Sequence, residues 1–275
     1  MKNKQSSHFA VGTFFISAIV FCSVFVFASV PVKAADPLYV VVEYFKVKPE
    51  NHLKYLEVQQ KIWEPMHQER IRQGIIASWT LYAVEFAGSA DSYNYVAITA
   101  YNDPEKLETP WNLEIPAKVH SNMSLREIMD RTNKASEIVR SELYKTVAAI
   151  PPIPFEDPAH FIQVNYMKVE PGKGSEYEAL EKDVWMPIHQ ESIRSGRTIG
   201  WGLWEAIFPR GTSRPYQYVT MNTFSDYSYA LEVSFAESFK AIHAEEDFSE
   251  MMKKTNDARI IERIELWNLI DYVVK

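Results

Sequence analysis

Residues 39 to 47 and again 161 to 169 are short, largely apolar runs rich in β-branched and aromatic side chains, and each run predicts a strand. Helical spacing follows. Tyr55, Val58, Ile62 and Met66 make one apolar stripe, matched by Tyr177, Leu180, Val184 and Ile188. Gly74 and Gly196 stand where each of these helices would end in a left-handed cap. Strands are expected near 77 to 86 and 93 to 101, mirrored at 199 to 208 and 216 to 224. A second helical region then leads to final strands near 140 to 147 and 263 to 273. The order strand, helix, strand, strand, helix, strand therefore occurs twice.

The doubling is present in the residues themselves. At an offset of 122, residues 44 to 82 align without a gap on 166 to 204, with fifteen identities in thirty-nine positions. The shared string W-x-P-x-H-Q-E-x-I-R-x-G is read from 63 to 74 and again from 185 to 196. After a one-residue insertion the offset becomes 123, pairing Tyr95 with Tyr218, His120 with His243, Thr132 with Thr255, Arg140 with Arg263 and Glu142 with Glu265. The repeats are assigned to 35–149 and 160–275, separated by a Pro-rich linker at 150–159 whose composition favours an extended, semi-rigid segment.

Ahead of the repeats, Lys2 and Lys4 precede an apolar run from about 9 to 30, and Val32 and Ala34 occupy the small-residue positions of a cleavage site. Residues 1–34 read as a signal peptide cut after Ala34, which makes the protein exported, periplasmic or secreted. An uncleaved anchor is the alternative, because the run is long enough to span a bilayer. Cys22 is the only cysteine, so the mature chain has no disulfide or thiol chemistry. Loss of Lys2, Lys4 and Lys33 with no acid moves the formal charge from −7 to −10. That surface argues against nucleic acid and against an anionic membrane as partners.

Two βαββαβ units make a ferredoxin-like pair, each with helices on one face of a four-stranded antiparallel sheet. The other face needs a partner, which the second copy supplies by packing sheet to sheet, giving a pseudo-dimeric α+β barrel. On this element order, over nearly all of each copy, the chain resembles the dimeric α/β-barrel superfamily, with the NIPSNAP-like and antibiotic-biosynthesis-monooxygenase-like groups nearest. The resemblance implies one of several activities: cofactor-independent oxygenation, isomerisation, haem chemistry, or none. Haem-degrading members carry an Asn on strand one with a Trp and a His near the second helix. The matching fragments here are Asn165 with His243 in copy two and Trp111 with His120 in copy one, where Glu43 replaces the Asn.

Two constellations could carry chemistry. The repeated string offers His67 and His189 as general bases or ligands, or as packing residues beside the helix bend at Pro65. His67 and Glu69 point apart on a helix, so no metal site is expected there. The second constellation is a cavity between the sheets. Alternation puts Glu43 on one face of strand one and Val40, Val42 and Tyr44 on the other, with Gln163 and Asn165 in phase with Glu43. If the apolar face packs under the helices, the polar residues look into the barrel, joined by Arg140, Glu142, Arg263, Glu265 and Trp267 from the final strands and by Trp79, Trp201 and Glu205 from the second. Such a cavity suits a small apolar or aromatic molecule. The same Arg and Glu residues equally make an inter-sheet ion-pair network. Three readings stand at this point: a small-molecule-binding barrel, with or without oxygenase or isomerase activity and with no cofactor; a structural or interaction protein; and a haem protein. Self-association into a homo-oligomer is compatible with all three. If the cavity carries function, Asn165, Glu205, Arg263 and Glu265 are expected to matter for ligand binding and little for stability.

Overall fold

The structure, a computed structural model, describes residues 37–150, 159–232 and 234–275. The signal sequence read over 1–34 and the linker residues 151–158 lie outside the described residues. In the first repeat the strands are β1 (Tyr39–Lys46), β2 (Ser78–Val84), β3 (Tyr95–Tyr101) and β4 (Glu137–Ile150). In the second they are β5 (Phe161–Lys168), β6 (Gly200–Phe208), β7 (Tyr218–Phe224) and β8 (Ile260–Val273). All ladders are antiparallel and close into one barrel in the order β1-β3-β2-β8-β5-β7-β6-β4. Each repeat thus contributes a 4-1-3-2 ferredoxin-like sheet, and the two sheets join edge to edge at the seams β2–β8 and β4–β6.

The seams exist because the last strand of each repeat has fourteen residues. At about 3.4 Å per residue it is long enough for two partners in succession. β4 pairs with β1 from Glu137 to Lys145 and with β6 from Leu143 to Ile150. β8 does the same with β5 and then β2. No edge strand is left open in the ring, which removes the usual template for aggregation.

Outside the barrel, the first repeat carries α1 (His52–Val58), α2 (Glu64–Arg72), α3 (Glu114–Val119) and α4 (Leu125–Ala135). The second carries α5 (Gly174–Leu180), α6 (Met186–Arg194), α7 (Tyr227–Leu231), α8 (Ala236–Ile242) and α9 (Phe248–Ala258). The stripe Tyr55, Val58, Ile62, Met66 is buried against the sheet, as is Tyr177, Leu180, Ile188 in the second repeat. Ser124 and Glu127 form a capping box at the start of α4, and the Asp247 side chain accepts from the Glu250 N–H at the start of α9. Gly74 and Gly196 have φ of 68° and 75°, the left-handed conformation their position after the helices requires.

The bend expected at Pro65 is taken up by a π turn. Residues Gln59–Trp63 and Glu181–Trp185 join α1 to α2 and α5 to α6, with the Glu64 N–H bonded to the Gln59 carbonyl and the Met186 N–H to that of Glu181. Proline has no N–H for the carbonyl four residues back, and the wider turn accommodates that missing donor. One carbonyl in this turn, that of Ile62, accepts from Nε2 of His120 at 2.9 Å.

The faces of the sheet are opposite to the expectation. Val40, Val42, Tyr44, Val164 and Tyr166 fill the barrel interior together with Trp204 and Trp267. Phe45, Trp79 and Leu81 pack under α1, α2 and α4. Glu43, Trp79, Asn165 and Trp201 therefore face the helices, not the lumen. Arg140, Glu142, Arg263, Glu265 and Trp267 do belong to the lumen, because the register sets Tyr44 beside Arg140 and Val42 beside Glu142.

Candidate functional site

The repeated string W-x-P-x-H-Q-E-x-I-R-x-G resolves residue by residue. Trp63 Nε1 donates to Thr132 Oγ1 at 2.9 Å, and Trp185 Nε1 to Thr255 Oγ1 at 3.0 Å, tying each first helix to the second. The proline sets the π turn. Glu69 takes both arms of Arg72, each at 2.6 Å, and Glu191 takes Arg194 at 2.7 and 2.6 Å, on exposed helix surface. The histidine remains. His67 stacks on Trp79 with centroids 4.6 Å apart, and His189 on Trp201 at 4.9 Å.

Each stacked pair lines a pocket between helices and sheet. The first has a volume of about 400 Å³ and walls of Trp63, Trp79, Trp111, Met66, Met129 and Phe45. Its carboxylate is Glu43, which makes no hydrogen bond among the described residues; desolvation raises its pKa, opposed by the charge of Arg70. Arg70, 2% exposed, donates Nη1 to His67 Nδ1 at 3.0 Å and Nη2 to the Tyr101 hydroxyl at 2.9 Å, and lies 3.9 Å above the Trp111 ring. A guanidinium only donates, so His67 Nδ1 accepts and the ring proton sits on Nε2. Burial first, and Arg70 second, push the His67 pKa well below the usual imidazole range. The imidazole is neutral at pH 7.

The second pocket, about 390 Å³, occupies the same place in the other repeat but with different chemistry. Asn165 replaces Glu43 and donates to Thr220 Oγ1 at 3.1 Å. Ser192 replaces Arg70, and His189 Nδ1 is left buried without a partner. Glu181 replaces Gln59, with its pKa raised by burial to about 7 against the lowering effect of Arg259, which replaces Ser136.

The lumen residues form two closed knots. Glu142 accepts from the Tyr144 hydroxyl at 2.6 Å, from Tyr216 at 2.9 Å and from Arg214 at 3.1 Å, while Arg140 stacks 3.9 Å over Tyr44. Glu265 accepts from Tyr93 at 2.5 Å, Tyr166 at 3.0 Å, Trp267 Nε1 at 2.8 Å and Arg263 at 2.6 Å. Each knot joins the repeats, since Tyr216 belongs to the second and Tyr93 to the first. Both carboxylates are satisfied within these knots, although Nε of Arg140 and of Arg214 has no hydrogen-bond partner among the described residues.

The remaining expected site residues are placed elsewhere. Glu205 pairs with Lys145 at 2.8 Å on the outside of the barrel and lines neither pocket. Its strand phase points it outward, because its immediate neighbours Trp204 and Ala206 face the lumen on either side. His120 is bonded to the Ile62 carbonyl, and His243 Nδ1 faces Glu246 at 3.1 Å; neither lines either of these two pockets, whereas Trp111 lines the first and Asn165 the second. Arg70, Gln59, Glu181 and Arg259 were not singled out from the sequence. Comparing the aligned copies for charge changes, Arg70 with Ser192 and Gln59 with Glu181, would have found them.

No family profile and no curated protein matches the chain. Solved structures do. A candidate monooxygenase from Fusobacterium nucleatum subsp. nucleatum superposes with a TM-score of 0.56 at 14% identity, covering 88% of this chain and 96% of its own. A candidate monooxygenase from Lactobacillus acidophilus gives 0.50 at 9% identity, over 87% and 96%. An anthrone oxidase-like protein gives 0.51 at 12% identity, over 86% and 93%. With the eight-stranded antiparallel ring and the helices on its outer face, these matches establish that the chain has the fold of the dimeric α/β-barrel superfamily, with both halves of the barrel in one polypeptide.

Proposed function

We propose that the repeat-one pocket binds a small planar molecule bearing an acidic C–H proton, and that Glu43 removes that proton. The observation that carries this reading is the Glu43 carboxylate, unpaired and desolvated in a pocket of Trp, Met and Phe side chains with its pKa raised toward the range of a useful base. His67, with its proton on Nε2, supplies a neutral donor for an oxygen on which charge develops as the proton leaves. The walls hold a flat ring by stacking on Trp79 and Trp111. A carbanion formed there is returned its proton at another carbon in an isomerisation, or is oxidised by O2. Likeness of fold to an anthrone oxidase-like protein makes anthrone a suitable probe: anthrone plus O2 gives anthraquinone plus water.

Oxygen uptake with anthrone tests the proposal. Glu43→Gln is expected to lower the rate by about two orders of magnitude or more, the usual contribution of a positioned base. Its melting temperature should not fall, because the substitution removes a desolvated acid. A Glu43→Gln protein that turns over at the wild-type rate would sink the assignment.

We also propose that the protein acts outside the cytoplasm, on the strength of the Lys2/Lys4 and apolar pattern ending at Ala34. The intact mass of protein from the exported fraction should correspond to a chain starting at or near Ala35. Retention of Met1 there would replace export with anchoring.

A further inference from the structure

We infer that the repeat-two pocket is a second, chemically distinct ligand site, built for a small aromatic carboxylic acid that also carries a hydroxyl group. The two pockets are related by the repeat, yet the charged groups have changed places. In repeat one the acid is on strand β1, Glu43, and the cation on helix α2, Arg70. In repeat two the acid is on the helical π turn, Glu181, and the cation, Arg259, is at the junction of α9 and β8. A pocket that had merely lost its function would be expected to fill or to satisfy its polar groups. This one keeps about 390 Å³ and leaves polar atoms unmet.

Three such atoms belong to the residues that line it, and two of them define the ligand. His189 Nδ1 and Asn222 Oδ1 belong to side chains 5% and 4% exposed, line the pocket, and have no hydrogen-bond partner among the described residues. Nε of Arg259 is likewise unmet, while its Nη1 donates to Asn256 Oδ1 at 2.7 Å. A buried donor or acceptor left empty is costly, so a ligand that fills it gains affinity. The amide oxygen of Asn222 only accepts, and calls for a hydroxyl. The guanidinium N–H calls for an acceptor, best a carboxylate. The same pocket is lined by the rings of Trp185, Trp201, Phe235 and Phe248, which call for an aromatic body on the ligand. Repeat one differs at two of the three positions: His67 Nδ1 is already held by Arg70, and Thr99 takes the place of Asn222, while at the third the unmet group is the Ser136 hydroxyl in place of the Arg259 guanidinium.

Glu181 sets a condition on binding. The titratable groups around it are Tyr177 on α5, His189 on α6 and Arg259. With its pKa near 7 it is largely neutral in mild acid, where it does not oppose an incoming carboxylate, and charged above that.

Calorimetric titration of the full chain with 4-hydroxyphenylacetate, at pH 6 and pH 8, is the test. One equivalent should bind, more tightly at pH 6, and Glu181→Gln should abolish the difference between the two pH values. Phenylacetate, which lacks the hydroxyl, should bind about tenfold or more weakly, and Arg259→Met should lose at least as much. Glu43→Gln should bind as the wild type does, which separates this site from that of repeat one. Absence of saturable binding at millimolar probe would overturn the inference. So would equal affinity for the two acids, or loss of binding in Glu43→Gln with Arg259→Met unaffected. Because the acid pair is compared on the unaltered protein, the result does not depend on any variant folding.

Discussion

Acidification is expected to remove about 5 kcal/mol of stability through His189 alone. Burial lowers its pKa from 6.5 to about 3, and each pH unit between those values is worth about 1.4 kcal/mol. The folded value is depressed, so the unfolded chain binds the proton more readily. The contribution is fully present above 6.5 and is lost as pH falls toward 3. His67 acts in the same direction. Glu181 acts in the opposite one: its folded value, about 7, lies above the usual 4.5, so its contribution is present below 4.5 and lost as pH rises through 7. Between 4.5 and 6.5 the two groups of repeat two offset each other, and the steep acid loss falls below 4.5. Urea unfolding at a series of pH values should show this shape, with His189→Gln reducing the loss below 4.5. In Glu181→Gln the decline should begin already near 6.5. Parallel curves for wild type and His189→Gln would refute the assignment.

Truncation of the lumen carboxylates should produce the other large effect. Glu265→Leu leaves two tyrosine hydroxyls, the Trp267 N–H and the Arg263 guanidinium without their shared acceptor. Breaking a buried charged network from one side costs about 3–5 kcal/mol. Glu142→Leu should behave alike, since Arg214 beside it has a side chain only 7% exposed. Arg263→Met should cost much less, because that side chain is 44% exposed and solvent already screens its charge. The measurement is the shift in urea midpoint at constant slope. A Glu265→Leu protein within about 1 kcal/mol of wild type would show that the knot is not holding the repeats together. This reverses the expectation, drawn from the sequence, that Glu265 matters for binding and little for stability.

The strands, their order and the duplication were legible because a period of two, a period of 3.6 and an internal alignment are properties of the chain itself. Which face of the sheet looks inward was not. In an open sheet, polarity tells a wet face from a dry one, but a closed barrel covered by helices is dry on both. Val40, Val42 and Tyr44 could pack equally well on either side. The lumen then admits Glu142 and Glu265 because tyrosine hydroxyls from the other repeat meet them, and those partners are distant in sequence. Asn165 is tolerated under the helices because Thr220 accepts from its amide, and Glu43 because it lines a pocket there. The phase of Arg140 and Glu142 was read correctly, but only the β1–β4 register, Tyr44 beside Arg140, shows that they do not share a face with Glu43. The π turns were equally hidden: a proline announces a bend, not the way the helix absorbs it.

The two seams also have a consequence for assembly from more than one chain. β2–β8 and β4–β6 join repeat one to repeat two through hydrogen bonds that are indifferent to whether the eight residues 151–158 connect those same two repeats. Repeat one of one molecule can therefore close its ring with repeat two of another, and the second halves can do likewise, giving an exchanged dimer with every register and both knots intact. Only proximity favours the closed monomer: the short connection keeps the second repeat at a high effective concentration near the first. Refolding at high protein concentration erodes that advantage, and shortening the connection until it cannot span from β4 to β5 removes it.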